Sequence, residues 1–499
     1  MITNQLHLWL PELAQQLADR PLRHLQLDSR QVTSGDVFIA LPGTREHGNK
    51  YINQAFSQGA VLVLTDSNVF DDEQLQDERT HEDRIVVLGD LVAQMPQLAA
   101  RFYHQPQEQL QLVGITGTNG KSSTSCFVNQ LAEQCDTPAA VIGTLGYGHW
   151  QQLTPLVNTT PHYIDLQRIL AGFVEQKRQL VAMEVSSHAL VQQRVNGIQF
   201  QVAVFTNLSR DHLDYHGSMA EYGQAKSLLF QPDMSRCAVL NVSDALGKAL
   251  ARRNDIPVWA YGKAEDCQGY ARFLGYQQLT ATKDGYQCLL SSQAGEHKLR
   301  LPLLGEFNIQ NALAAISSLL ALGYDLTELL HAASSLQPLA GRMEQFPFDH
   351  GVTIVVDYAH TPDALQQALQ ALRQHCTGRL WCVFGCGGDR DKGKRPLMGQ
   401  LAQQYSDHCI VTSDNPRSEP PMQICEDIAA GMQDADYADN YRIEPNRQLA
   451  IKLALASAQQ GDVILLAGKG HETTQIIGHE QQYYDERAYV RQLMSEMAL

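Results

Sequence analysis

The segment Gly114-Ile-Thr-Gly-Thr-Asn-Gly-Lys121-Ser122 constrains this chain more than any other. It follows the apolar run Leu110–Thr116 and opens a stretch of helical pattern, so its glycines stand where a strand turns into a helix. Such a turn presents consecutive backbone N–H groups and a helix N-terminus to an anion, as a phosphate-binding loop requires. Lys121 would reach the β- and γ-phosphates of a nucleotide, and the Ser122 hydroxyl would ligate Mg²⁺. The glycines fall at 114, 117 and 120, with Ile115 where the commonest form of the pattern has its first glycine. A glycine turn with no ligand has no need of the Lys-Ser ending. The loop reads as a nucleotide site.

The 499 residues allow for about three domains, each able to bury its own core. Lys and Arg number 38 against 54 Asp and Glu, a net charge of −16. That balance argues against general nucleic-acid binding, which needs a basic face to neutralise phosphates. Small anionic ligands remain open, because screening over about 8 Å leaves local charges to decide. The ten cysteines form no C-x-x-C pair and read as reduced thiols of a cytosolic protein. The N-terminus lacks a basic segment, and no uninterrupted apolar stretch approaches ~18 residues. A soluble, cytoplasmic protein without a membrane segment is expected.

The pattern of apolar runs predicts an α/β fold with mostly parallel sheets. Val37–Ala40, Ala60–Thr65 and Ile85–Leu88 predict a small N-terminal α/β unit over residues 1–90, with Asp71–Arg84 as a charged surface excursion. Leu91–Tyr103 reads as a connecting helix. The central phosphate-loop unit, residues 91–341, contains the strand-like runs Leu110–Thr116, Leu180–Met183 and Val202–Phe205. A Rossmann-like unit over 342–499 has four short apolar runs at Thr353–Val356, Leu380–Phe384, His408–Thr412 and Val463–Ala467. Each run ends in a polar or glycine-rich loop, and helical patterns such as Ala364–His375 lie between them. Strands alternating with helices imply a parallel sheet with ligands at the carboxyl ends, so the four loops are expected to converge.

A phosphate loop does not by itself choose among kinase, GTPase, motor and ligase. Glu184 ends a strand where an acidic side chain can hold Mg²⁺, and Ser186-Ser187-His188 supplies short polar groups in the same turn. The loop from Thr206 to His216 follows the next strand and carries His212 at a comparable strand end. Lys226 lies in the helical run Tyr222–Phe230, where a solvated surface lysine is the default reading.

Six segments together carry a resemblance. They are Gly114–Ser122, Met183–His188, Thr206–Gly217, Gly305–Asn311 (Gly-Glu-Phe-Asn-Ile-Gln-Asn), Gly341–Glu344 (Gly-Arg-Met-Glu) and Asp357–Pro362 (Asp-Tyr-Ala-His-Thr-Pro). In content and order they resemble the Mur ligases of peptidoglycan synthesis over almost the whole chain. Asp414-Asn415-Pro416-Arg417 further resembles the motif of members that add meso-diaminopimelate to UDP-N-acetylmuramoyl-L-alanyl-D-glutamate. Lysine-adding relatives usually differ at the arginine.

The resemblance implies an ATP-dependent ligase that activates the γ-carboxylate of D-Glu as an acyl phosphate, which the amine of the third amino acid then attacks. Bringing a carboxylate to ATP costs about 4 kcal/mol per unit pair at 4 Å and an effective ε near 20. Uncompensated, that is roughly three decades in rate, which divalent ions offset. The resemblance gives one Mg²⁺ to Ser122 and Glu184, and a second to His212 and a carbamylated Lys226. Carbamylation turns an ammonium into an oxygen-bearing anion that Mg²⁺ accepts.

By the same resemblance, ATP is held by Gly117, Thr118, Asn119, Gly120, Lys121, Ser122 and Ser123, with Asn308 toward adenine, Arg342 toward the triphosphate and Asp357 toward ribose. Leu27, Ser29, Thr44, Arg45 and Glu46 match the uridine and diphosphate region. Asn158, Thr159, Thr160, Ser186, Gln192 and Arg194 match the muramoyl-peptide region. For diaminopimelate, Arg390 and Arg417 can each fork onto a carboxylate, while Asp414 and Glu472 accept from the distal ammonium, with Asn415, Pro416 and Gly468 beside them. Partners are thus small molecules. The alternatives are the same ligase using L-lysine, a folylpolyglutamate synthetase-like ligase, and a phosphate-loop regulatory switch.

Overall fold

The computed structural model describes residues 22–41, 46–66, 84–253, 255–282, 285–432 and 440–497. The chain divides into two compact units, one of segments 1–121, 128–240 and 244–258, the other of 122–127, 241–243 and 259–499. Among the described residues no helix is long and apolar enough to cross a membrane.

In the first unit the strands Leu25–Gln26, Val37–Ala40, Leu62–Asp66 and Ile85–Leu88 pair in that order, all parallel. Three of them match the expected runs; the two-residue strand at Leu25 is too short to signal itself. Leu91, Met95, Leu98, Ala99 and Phe102 recur at helical spacing and pack on Leu25, Val37, Ile39, Leu62 and Leu64. The helix Leu91–Phe102, expected as a connector, is therefore also a layer of this core. The expected excursion at 71–84 lies outside the described residues except for Arg84.

Further along the first unit, Gln111–Thr116 sits between Leu180–Glu184 and Val202–Phe205, parallel to both. Ala139–Gly143 flanks Leu180–Glu184 and Ala238–Asn241 flanks Val202–Phe205, again parallel. Ile115 is in register with Glu184, and Thr116 with Phe205. The phosphate loop, Glu184 and the Thr206 turn therefore leave the sheet at one edge. Burial on both faces explains why these strands read as continuous apolar runs.

The second unit contains an antiparallel set, Phe273–Thr282, Gly285–Ser292 and Gly295–Leu301, and the apolar helix Glu306–Ala321. Its six-stranded sheet runs Glu344–Pro347, Thr353–Asp357, Val463–Ala467, Leu380–Phe384, His408–Val411 and Tyr441–Ile443. All neighbours are parallel except the first pair. Val355, Cys382, Phe384 and Leu465 face the helices at 362–373, 394–405 and 421–429, while Ile354, Trp381, Val383 and Ile464 face those at 447–457 and 486–497. The four expected strands are adjacent, so their four carboxyl-end loops lie side by side.

Candidate active site

The phosphate loop is held from behind by the turn after Val202–Phe205. Thr118 N and Asn119 N donate to Asn207 O and Oδ1 at 2.8 and 3.0 Å, and Thr206 Oγ1 donates to Asn119 O at 2.6 Å. Thr118 and Asn119 thus shape the loop, which runs through Gly120 into the helix Lys121–Gln134. Gly117 and Gly120 take φ of +150° and +84°, the left-handed region that glycine supplies.

Lys121 Nζ donates to Gly117 O and Thr118 O, both at 2.9 Å. Lys226 Nζ donates to the same Gly117 carbonyl at 2.9 Å. Two lysines therefore meet at one loop oxygen. Lys226 is 1% exposed, with its ammonium 4.2 Å from the Tyr222 ring centroid. The default reading as a surface lysine is corrected: the helix Met219–Ser227 turns this residue inward. Burial, with Lys121 adding repulsion, pushes the Lys226 amine well below the ordinary lysine range.

Glu184 is 1% exposed, and its carboxylate accepts from Thr144 N at 2.9 Å and Thr144 Oγ1 at 3.2 Å. His212 has φ of +52° and starts the short helix Leu213–His216, with its ring 5.0 Å from that of His188. Its Nε2 lies 3.5 Å from Asp211 Oδ2.

Four of the residues matched to the muramoyl-peptide region form one hydrogen-bonded group. Thr160 Oγ1 donates to Glu184 O at 2.9 Å and accepts from Ser186 N at 3.1 Å. Arg194 donates to Thr160 O at 3.0 Å and to Gln192 Oε1 at 2.6 Å. Thr159 reaches Thr144 Oγ1 at 3.1 Å, while Asn158 is exposed. Of the uridine-region residues, Leu27 is exposed, Ser29 Oγ donates to Gln54 Oε1 at 3.0 Å, and Glu46 accepts from Tyr51 at 2.6 Å. Thr44 and Arg45 lie outside the described residues.

In the second unit Asn308 is buried, donating to Leu304 O at 2.8 Å and accepting from Asn311 at 3.2 Å. Asn311 in turn lies 3.5 Å from Thr124 Oγ1, so these carboxamides tie to the helix that carries Ser122 and Ser123. Asp357 accepts from Met343 N and Ala359 N, each at 2.8 Å. Arg342 stacks 4.5 Å over the Tyr358 ring, and its Nε is buried without a hydrogen-bond partner. Burial raises the Asp357 carboxyl against the opposing pull of Arg342.

The loops after His408–Val411 and Leu380–Phe384 interlock. Gly388 N donates to Asn415 O at 2.9 Å, and Arg417 Nη1 donates to Gly388 O at 2.8 Å. A Cβ on Gly388 would come within 1.8 Å of Pro416 O. Arg390 is exposed and donates to Asp389 O at 3.2 Å. Gly468, at φ +112°, donates to Asp357 O at 3.1 Å, and a Cβ there would stand 2.8 Å from Asp414 Oδ2. The predicted acceptors Asp414, Asn415 and Glu472 are brought together. Lys469 joins them, bonding Glu472 Oε2 at 2.8 Å and lying 3.8 Å from Asp414 Oδ1.

Lys469 is thus a residue that sequence reasoning missed, lying between the two it selected in Gly468–Glu472. So are Thr144, which holds Glu184, and Arg395, which is fully buried and bonds both oxygens of Glu419 at 2.8 and 2.9 Å. The buried pair Arg447–Glu486 braces Ala467 O and Ser413 O at the ends of two site strands. Only a three-dimensional neighbour distinguishes such residues from solvated charges.

Three family profiles match: Mur ligase family, catalytic domain, at residues 21–103; Mur ligase middle domain at 115–319; and Mur ligase, glutamate ligase domain, at 341–470. The chain is 43% identical over 494 residues to UDP-N-acetylmuramoyl-L-alanyl-D-glutamate--2,6-diaminopimelate ligase of Vibrio vulnificus strain YJ016, covering 99% of this chain and 98% of that protein. A solved structure of a ligase of that description, 34% identical, covers 96% of both chains with a TM-score of 0.69. A folylpolyglutamate synthase of Mycobacterium tuberculosis, 19% identical, shares the fold over 75% of this chain and 91% of its own, with a TM-score of 0.59.

Proposed function

The chain belongs to the Mur ligase family, and from that premise we propose that it is an ATP-dependent amide ligase adding meso-2,6-diaminopimelate to the D-Glu γ-carboxylate of UDP-N-acetylmuramoyl-L-alanyl-D-glutamate in peptidoglycan synthesis. ATP is its energy-supplying substrate, and a cytoplasmic location suits such soluble substrates. The observation that carries the reading is the strip of four adjacent strand-end loops, which sets Arg390, Arg417, Asp414 and Glu472 at one sheet edge. An amino acid with two ammonium–carboxylate centres needs such mixed charges.

The phosphate-loop region suits the activation step. The phosphate loop and the first helical turn take the triphosphate, with Lys121 as the cation near the transferred group. Asn308, Arg342 and Asp357 are assigned to ATP as the resemblance implies. The Thr160–Ser186–Gln192–Arg194 group is assigned to the muramoyl peptide, and Leu27, Ser29 and Glu46 to the uridine end.

The residues also fit Mg²⁺. Among the described residues no three His, Cys, Asp or Glu side chains form a ready cage, and Mg²⁺ ordinarily takes one or two protein groups and completes its shell with water and phosphate oxygens. Ser122 and Glu184 would hold one ion, and His212 and Lys226 the other. These ions would neutralise charge between the carboxylate and ATP. Lys226 as an ammonium could not serve. Its lowered basicity favours the free amine, whose lone pair adds to CO₂, forming an N–C bond and releasing one proton to leave a carbamate.

Incubation with ATP, Mg²⁺, the UDP-dipeptide and diaminopimelate tests the reading by mass spectrometry. The expected product gains one diaminopimelate less one water, with one phosphate released per amide. Phosphate release without that product would overturn it.

A further inference from the structure

Lys469 follows Gly468 at the end of the strand Val463–Ala467, and its side chain is 0% exposed. A lysine this deep must spend its three donors on the protein, and it does. Nζ donates to Glu472 Oε2 at 2.8 Å, Asn415 Oδ1 at 3.1 Å and Thr474 O at 2.5 Å. Asn415 Oδ1 also accepts from Ile476 N at 3.0 Å. With Lys469 and Ile476 both donating to Oδ1, the Asn415 carboxamide presents its NH₂ to Glu472, and Nδ2 donates to Oε2 at 3.0 Å.

The consequence is geometric. Two donors claim Glu472 Oε2, on a side chain that is 28% exposed. Asp414 Oδ1 lies 3.8 Å from the ammonium, too far for a hydrogen bond, and is buried with no hydrogen-bond partner. Lys469 thus fixes the orientation of Glu472 and Asn415 and lies beside Asp414.

We infer that Lys469 is a positioning residue for the third amino acid, its ammonium locking Glu472 and Asn415 so that the Glu472 carboxylate, beside Asp414, receives the substrate's distal ammonium. This rests on the amino-acid site proposed above. It adds a residue that contacts no substrate yet governs how well one substrate binds. Burial raises the Asp414 carboxyl, and Arg447 and Lys469 oppose that rise, so removing Lys469 also weakens the charge at Asp414.

The test is steady-state kinetics of the full-length Lys469→Met enzyme with each substrate varied in turn. KM for diaminopimelate is expected to rise about tenfold or more, with KM for ATP and for the UDP-dipeptide within about twofold of wild type. Lys469→Gln, which keeps two N–H donors, is expected to fall between Met and wild type. It carries the test if the Met enzyme does not unfold cooperatively. In the double variant with Glu472→Gln the two effects are expected not to multiply, because they act through one oxygen pair. An unchanged diaminopimelate KM in a folded variant, or equal rises for all three substrates, would overturn the inference while the ligase reading stands. A wild-type enzyme that makes no diaminopimelate product would overturn the reading, and this inference with it.

Discussion

A Cβ on Gly117 would stand 1.9 Å from Thr206 Oγ1, the hydroxyl that holds Asn119 O. Gly117→Ala is therefore expected to raise KM for ATP about tenfold or more with the protein still folded, read from phosphate release against ATP concentration. Lys226 makes a sharper case. Lys226→Ala removes the amine, and Lys226→Arg puts a permanent cation there that cannot form a carbamate, so both are expected to lose about 100-fold or more in kcat. Wild-type activity should fall in CO₂-depleted buffer and return with bicarbonate; an Arg variant at wild-type rate would contradict the assignment. At this scale the sequence was informative where a residue type is forced, as at Gly117, Lys121 and Glu184. Lys226 was marked only by the family resemblance and Lys469 not at all, because a lysine in a polar setting carries no mark of whether its helix or loop faces inward.

Elements were legible wherever burial on both sides forces an apolar run. Strands at 353–357, 380–384, 408–411 and 463–467 stand where the sequence places them, because one face packs on each helical layer. The hairpin Thr474–Ile477 and Glu480–Tyr483 is polar and largely exposed, and its composition gives no such signal. Yet it clasps the recognition loop: Gln475 donates to Asp414 O at 2.6 Å, and Arg417 N to Ile476 O at 3.1 Å. Gln475→Ala is expected to raise KM for diaminopimelate a few-fold with ATP unaffected, measured in the same kinetic assay. The helix Lys394–Tyr405 adds a second brace, since Arg395 joins Glu419 and reaches Gly387 O at 3.4 Å. The hydrogen bonds from Arg395 hold the Glu419 carboxyl down to about 2, against an ordinary value of 4.5. A depressed carboxylate stabilises the fold fully above the unfolded value and loses that contribution as pH falls toward 2. The urea midpoint of wild type should exceed that of Glu419→Gln at pH 6, and the gap should narrow by pH 3. A gap independent of pH would contradict the ionic brace.

For the molecule as a whole, the choice is among ligases, since a bare nucleotide switch leaves the charged loops of the second unit without a purpose. The folylpolyglutamate synthase shares the fold over 75% of this chain, against 96% for the diaminopimelate ligase structure. The order of motifs along the sequence carried most of this reading. What it lacked was the supporting charge network behind the amino-acid loops, which joins separate segments, as Lys469 joins Asn415 and Arg447 joins Glu486. The central claim is that these loops recognise the distal carboxylate of diaminopimelate through Arg417, a group that L-lysine lacks. A site built around a polar partner rejects an analogue lacking it by about 10⁴-fold. The most direct test is phosphate release from ATP, Mg²⁺ and the UDP-dipeptide in three parallel reactions, with meso-diaminopimelate, L-lysine or no amino acid. Release with diaminopimelate alone is the predicted result. Comparable release with L-lysine, or release indifferent to any amino acid, would contradict it.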